Sequence, residues 1–179
     1  MERTTSHDSP SGTPLRRVLV VADWGVDPQA VIAACDRRDA EGPSSFALLV
    51  PAWLHGIDWA GDPRASVPCA RRQVLAIRAV ASAIGRRFAS ADIGDPEPLT
   101  AIGDVLAEWP ADELLICLRP ARIRVPHPFD LTHRVRRVTG LPLRRMSLPP
   151  ARVARPSRLP GRNGHCVSSD PGAVEQAAT

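Results

Sequence analysis

The sequence predicts one α/β domain built on a parallel sheet with helices on both faces. Two observations support this prediction. Short continuous runs of apolar, β-branched residues have the length of strands that are covered on both sides, and they alternate with segments whose apolar residues recur at helical spacing. A chain of 179 residues is long enough for one such domain with a sizeable core and too short for two. The pattern therefore indicates a doubly wound domain of flavodoxin size.

The first half of the domain begins with a predicted central strand at residues 18–22, where the run is apolar throughout. Asp27 and Pro28 then provide an N-cap and a proline at the first helical position, and Gly42 ends this helix. A second strand is predicted at residues 46–50.

A loop of unusual length is predicted next, at residues 51–68, and it carries Trp53, His55 and Trp59. Tryptophans in such a loop typically pack it onto the domain. A second helix follows at residues 69–89, where the arginines fall mostly on a solvated face. Only residues 89–93 remain for a third strand, which must be short and lie at an edge.

The second half of the domain opens with Gly94-Asp95-Pro96 at the start of a third helix, whose apolar residues are Leu99, Ile102, Leu106 and Trp109. Residues 113–118 are predicted as the fourth strand. The last helix covers residues 130–139, with Gly140 as its stop, and its predicted inward residues are Leu131, Val135 and Val138. Residues 143–148 form the fifth strand.

Composition limits the other properties of the chain. Residues 1–14 and 150–179 are rich in Ser, Pro or Arg without periodicity, so we predict disordered tails around a domain at residues 15–149. The N-terminus lacks the apolar stretch of a signal peptide, and no apolar run reaches about 20 residues, which predicts a cytoplasmic protein outside the membrane. The net charge is +4, and all 23 basic residues are arginine. Without lysine, a Walker A loop and Schiff-base chemistry are excluded.

The four cysteines show no metal-ligand spacing. Cys35 and Cys117 are predicted as buried hydrophobes, and a packing role is also predicted for Cys69. Cys166 falls in the predicted C-terminal tail.

Three segments together resemble the universal stress protein (UspA-like) family over residues 17–148: residues 18–23, a strand that ends in an aspartate; Gly94-Asp95-Pro96; and residues 111–116, a helix exit and strand. The resemblance implies a Rossmann-like five-stranded parallel sheet in the order 3-2-1-4-5 and a role in stress response. It also implies a ligand cleft at the carboxyl ends of strands 1 and 4. Nucleotide-binding members hold phosphates on a glycine-rich segment after the fourth strand. Residues 119–139 contain no glycine, so the sequence argues against ATP binding of this type.

The candidate ligand-binding residues are Asp23, which matches the family's ligand-contacting aspartate, and the three arginines after the fourth strand, Arg119, Arg122 and Arg124. Guanidinium groups grip phosphates or carboxylates without a glycine loop. We therefore expect either a small anionic metabolite or nucleotide at this cleft or, alternatively, a solvated basic loop. Asp23 has a structural alternative too, as a brace for the turn that contains Gly25.

The histidines do not form a predicted metal site, because His127 and His133 are six residues apart and do not share a helical face. Asp130 and His133 can meet as a surface pair at the start of the last helix. No hydrolase elbow, metalloprotease motif or pair of catalytic carboxylates is present. We therefore predict a non-enzymatic regulatory or ligand-sensing domain without cofactor or metal; the alternative is a protein-interaction module that has lost nucleotide binding.

Assembly through the last strand is disfavoured, because Arg144 and Arg145 place charges on both of its faces. A homodimer formed in this way is doubtful. The dispersed arginines of the C-terminal tail make nucleic acid a minor option as a partner.

Overall fold

The computed structural model describes residues 14–53, 66–120 and 130–151. These residues form nine elements in alternating order. The strands are β1 (Arg16–Ala22), β2 (Ser44–Pro51), β3 (Ala91–Gly94), β4 (Glu113–Leu118) and β5 (Leu143–Ser147). The helices are α1 (Pro28–Asp39), α2 (Val67–Ala83), α3 (Pro98–Glu108) and α4 (Leu131–Thr139).

The five strands form one parallel sheet in the order β3-β2-β1-β4-β5, which confirms the predicted doubly wound architecture. β1 is the central strand. It pairs with β2 on one side and with β4 on the other, and Ala22 lies opposite Cys117 in the second pairing. The carboxyl ends of β1 and β4 therefore lie side by side.

Each face of the sheet contributes to its own hydrophobic cluster. One cluster joins the sheet to α1 and α2, and the other joins it to α3 and α4. Val18 and Val20 point into the first cluster, whereas Leu19 and Val21 point into the second. All four are fully buried, which explains why β1 reads as an unbroken apolar run.

Capping residues and glycines set the ends of the helices. Asp27 caps α1 as predicted. α2 ends at Ala83, earlier than predicted, because the chain reverses through Gly85 at φ +74°. α3 begins at Pro98 and not at Asp95, because the Glu97 carboxylate accepts the amides of Leu99 and Thr100.

The outermost helix, α4, has the predicted ends, with Asp130 as N-cap and Gly140 at φ +66° as the stop. Its inward face is narrower than predicted. Val135 is fully buried, but Val138 is 70% exposed. A helix at the edge of a sheet has neighbours on fewer sides, so a short apolar repeat does not bury every member.

Glu113, at the start of β4, is a buried carboxylate surrounded by arginines from three elements. Its Oε2 accepts from Arg38 Nε at 2.9 Å, and Arg16 Nη1 lies 3.5 Å from the same oxygen. Arg144 Nε lies 2.8 Å from Oε1, although the N–H is not aligned for a hydrogen bond. Glu113 and Arg38 are both almost fully buried. This cluster joins α1, β1 and β5 to the amino end of β4.

Replacing Glu113 by glutamine should lower the free energy of unfolding by about 3 kcal/mol, because Arg38 would keep a buried charge without its partner. Urea denaturation measures this change. Asp112→Asn is the matched control: this neighbouring carboxylate is half exposed and lies 3.9 Å from Arg17 Nε. The Arg17 amide donates to Asp112 Oδ2 at 2.8 Å, and an asparagine oxygen can accept this bond as well, so the change should cost less than about 1 kcal/mol. Equal costs for the two variants would contradict the structural role of the cluster.

Gly94, at the end of β3, allows α3 to approach the sheet. A Cβ at this position would lie 2.5 Å from the Ala101 Cβ and 2.8 Å from Leu49 Cδ1. Both neighbours are buried in the core, so neither has room to move.

Gly94→Ala should therefore destabilise the domain by about 1–3 kcal/mol through overpacking. Gly103→Ala is the control, since a Cβ there meets nothing within 4 Å on α3, and alanine at this site should stabilise by up to about 1 kcal/mol. Thermal and urea unfolding of both variants test the difference in sign. A neutral Gly94→Ala would show that the helix does not need this close approach.

None of the helices in the described ranges is long and apolar enough to cross a membrane.

Candidate functional site

The candidate site lies where β1 and β4 end side by side. Asp23 follows β1 directly, and Arg119 follows β4 directly. The Asp23 amide donates to the Cys117 carbonyl at 2.9 Å, so the pairing of the two strands continues past the end of β1. This parallel pairing brings together two residues that are 96 positions apart in the chain.

Asp23 and Arg119 form an ion pair. Arg119 Nε donates to Asp23 Oδ2 at 2.8 Å, and Asp23 Oδ1 accepts from the Gly25 amide at 3.2 Å. Asp23 is only 3% exposed, while the Arg119 side chain is 33% exposed. A carboxylate this deeply buried needs a compensating charge, and Arg119 supplies it.

The rest of the Arg119 guanidinium lies over the turn after β1. Its Cζ is 5.2 Å from the centroid of the Trp24 ring, a cation–π distance. A Cβ on Gly25 would come within 2.8–2.9 Å of three guanidinium atoms. The small residue at this position therefore lets the guanidinium rest against the backbone, in the space between the two strand ends.

The turn that Arg119 covers is anchored on its other side. Trp24 Nε1 donates to the Trp53 carbonyl at 2.9 Å, which connects the turn to the chain after β2. Gln73 Nε2, on α2, donates to the Val26 carbonyl at 2.8 Å in a buried contact. Trp53 is 9% exposed, which confirms the predicted packing of this part of the long loop.

The chain after β5 returns to the same turn. The Leu148 amide donates to the Leu118 carbonyl at 2.8 Å, and the Asp27 amide donates to the Pro149 carbonyl at 2.9 Å. Pro150 forms an antiparallel bridge with Val26, and the Ala151 amide donates to the Gly25 carbonyl at 2.9 Å. Residues 148–151 thus run from the end of β4 to the turn after β1.

Two of the four predicted ligand residues are therefore brought together, and they bind each other. Arg122 and Arg124 lie outside the described residues, as do His55, Trp59 and His127. Sequence reasoning missed Trp24, Gln73 and residues 149–151. Trp24 directly follows Asp23, and this adjacency was the one available signal; the other contacts join distant parts of the chain.

The remaining titratable groups offer no metal site in the described ranges, where no three His, Cys, Asp or Glu side chains form a cluster suited to one. The Asp130 carboxylate accepts from the Thr132 amide at 2.7 Å and pairs with Arg145 at 2.9 Å. It thus acts as a helix cap and an ion-pair partner.

Cys35 and Cys117 are buried free thiols, as predicted. Burial raises the pKa of Cys35 to about 12 and also raises the pKa of Cys117. Both stay protonated at neutral pH, so neither supplies a thiolate nucleophile. Cys69, on α2, is also buried, with 4% exposure. Cys166 lies outside the described residues.

No family model and no curated protein matches the chain.

A double-mutant cycle on Asp23→Asn and Arg119→Gln should reveal a coupling free energy of about 1 kcal/mol, because the contact is short and one partner is buried. The free energies of unfolding of the two single variants, the double variant and the wild type give this value. The matched cycle on Arg17→Gln and Asp112→Asn joins two half-exposed groups at 3.9 Å and should give less than about 0.5 kcal/mol. Equal coupling in the two cycles would show that the Asp23–Arg119 pair contributes no more than a surface contact.

Proposed function

We propose that this chain is a non-enzymatic regulatory domain, similar to universal stress proteins, that acts through contacts with other proteins and has lost nucleotide binding. In this proposal the Asp23–Arg119 pair fills the position that the family resemblance assigns to a nucleotide. The single observation that carries the proposal is the placement of the Arg119 guanidinium, which lies on Gly25 and Trp24 and pairs with a buried carboxylate.

Electrostatics support the loss of nucleotide binding. A phosphate group entering between β1 and β4 would have to approach the Asp23 carboxylate, and it would compete with that carboxylate for Arg119. Since Asp23 is buried, removing its counter-charge would cost several times more than breaking an exposed pair. Residues 119–139 also lack the glycines that would let backbone amides compensate.

A second candidate function is the binding of a small anion at Arg119. The observation that favours it is the one-third exposure of this side chain, since Arg119 donates to Asp23 through Nε and a guanidinium carries further donors. A compact carboxylate or phosphate at the exposed edge would leave the ion pair intact. The predicted contributions of Arg122 and Arg124 belong to this candidate. A cytoplasmic location and a role in stress response stay predictions from the sequence.

Calorimetric titration distinguishes these functions. ATP added to the full chain should show no binding tighter than a Kd of about 1 mM, which corresponds to about 4 kcal/mol. Phosphate, acetate and citrate are titrated in the same way into the wild type, Arg119→Gln and the control Arg78→Gln, which changes an exposed arginine on α2.

The titration results distinguish the two candidate functions. Binding of ATP with a Kd clearly below about 1 mM would contradict the proposal. Binding of a small anion that is lost in Arg119→Gln and kept in Arg78→Gln would favour the second candidate. The absence of all binding would agree with a closed cleft.

A further inference from the structure

The unpaired acidic residues of the domain concentrate on one side. Residues 91–112 contain six acidic residues and no arginine. Four of these acids, Asp92, Asp95, Asp104 and Glu108, are exposed and have no ion-pair partner among the residues that the structure describes. We call Asp92, Asp104 and Glu108 the acidic strip.

The acidic strip follows the β3 edge on the face that carries α3. Ala101 faces β3, because its side chain lies where a Cβ on Gly94 would be. Asp104 and Glu108 are three and seven positions after Ala101, so they lie on the same side of α3. Asp92 is two positions before Gly94 and points to the same face of the sheet.

The opposite edge of the sheet is basic. Residues 131–147 contain five arginines and no acidic residue. Arg136 and Arg137 on α4 are exposed and have no ion-pair partner within the described part of the chain. Together with Arg145 on β5, which pairs with Asp130 and is 41% exposed, they form what we call the basic strip.

The basic strip lies on the same face of the sheet as the acidic strip. α3 and α4 pack on one common cluster that includes Ala101 and Val135. Arg134 turns toward α3, where it pairs with Glu97 at 3.2 Å. Arg136 is two positions later, about 200° around the helix, and therefore points away from α3 toward the β5 edge. Arg137 is about 200° from the buried Val135, so it lies on the outer surface of α4 beside Arg136.

β3 and β5 are the two outer strands of the sheet and run in the same direction. A second copy shifted sideways along the sheet therefore brings its basic strip to the acidic strip of the first copy, on the same face. A symmetric dimer through β5 would instead place the basic strips of the two copies against each other, together with Arg144 and Arg145 of each β5 strand. Charge complementarity thus favours head-to-tail contacts over a symmetric dimer through β5.

We propose that copies of this chain associate head to tail, with the acidic strip of one copy against the basic strip of the next. The contact leaves a free acidic strip at one end and a free basic strip at the other, so the assembly grows with concentration and does not stop at a dimer. Its formation is independent of any ligand at the Asp23–Arg119 cleft. The proposal therefore goes beyond the function proposed above and can fail separately from it.

Sedimentation of the full chain tests the proposal. At about 20 mM salt, the weight-average mass should rise with protein concentration beyond that of a dimer, and about 0.5 M salt should reverse the rise because exposed charges are screened. Asp104→Arg/Glu108→Arg and Arg136→Glu/Arg137→Glu should each weaken association at least about tenfold. Arg71→Glu/Arg78→Glu on α2 is the matched control, since it reverses two exposed arginines outside the strips and should leave association in place.

Mixing the two strip variants provides the decisive result. One variant then carries two basic strips and the other two acidic strips, so each should be monomeric alone, and the mixture should associate. Three results would each overturn the proposal. The α2 control could weaken association as much as the strip variants do, the strip variants could retain a closed dimer, or the wild type could stay monomeric at low salt.

Discussion

The parallel pairing of β1 with β4 is the constraint on which the site and much of the core depend. It places the ends of two strands side by side, although they are separated by three helices in the chain. A carboxylate that follows β1 is thereby enclosed by the sheet and by the turn after it, and it is stable there only with a cation beside it. Arg119, the first residue after β4, provides that cation.

The same pair of strands is held by ion pairs at both ends, in reciprocal fashion. At the amino end, Glu113 on β4 faces Arg16 on β1 and Arg38 on α1. At the carboxyl end, the acid follows β1 and the arginine follows β4. At each end, the buried carboxylate of one strand thus pairs with an arginine of the neighbouring strand. In a chain without lysine, every such contact uses the planar guanidinium. Guanidinium groups also lie over aromatic rings, Arg119 over Trp24 and Arg86 over Phe46.

Much of this fold could be predicted from the sequence, because its signals are local. The apolar run in β1, the Asp27-Pro28 cap and the Gly140 stop each specify an element without reference to distant residues. The ends of α2 and α3 were less predictable. Gly85 ends α2 before its apolar pattern stops, and α3 is capped by Glu97 instead of starting at Asp95-Pro96. At the site, strand order sufficed to bring Asp23 near Arg119. The ion pair between them also depends on the orientation of both side chains and on the small residue at Gly25. No local sequence pattern predicts these two features.

The proposal that an ion pair closes the cleft is tested most directly by NMR of the arginine Nε–H groups, with the Arg119 signal identified by its loss in Arg119→Gln. A hydrogen bond to the buried Asp23 carboxylate should protect this proton from exchange with water, and millimolar ATP should leave its position and exchange rate unchanged. A rapidly exchanging Arg119 Nε–H, or one that shifts on addition of ATP, would contradict the account of the cleft as closed by its own ion pair.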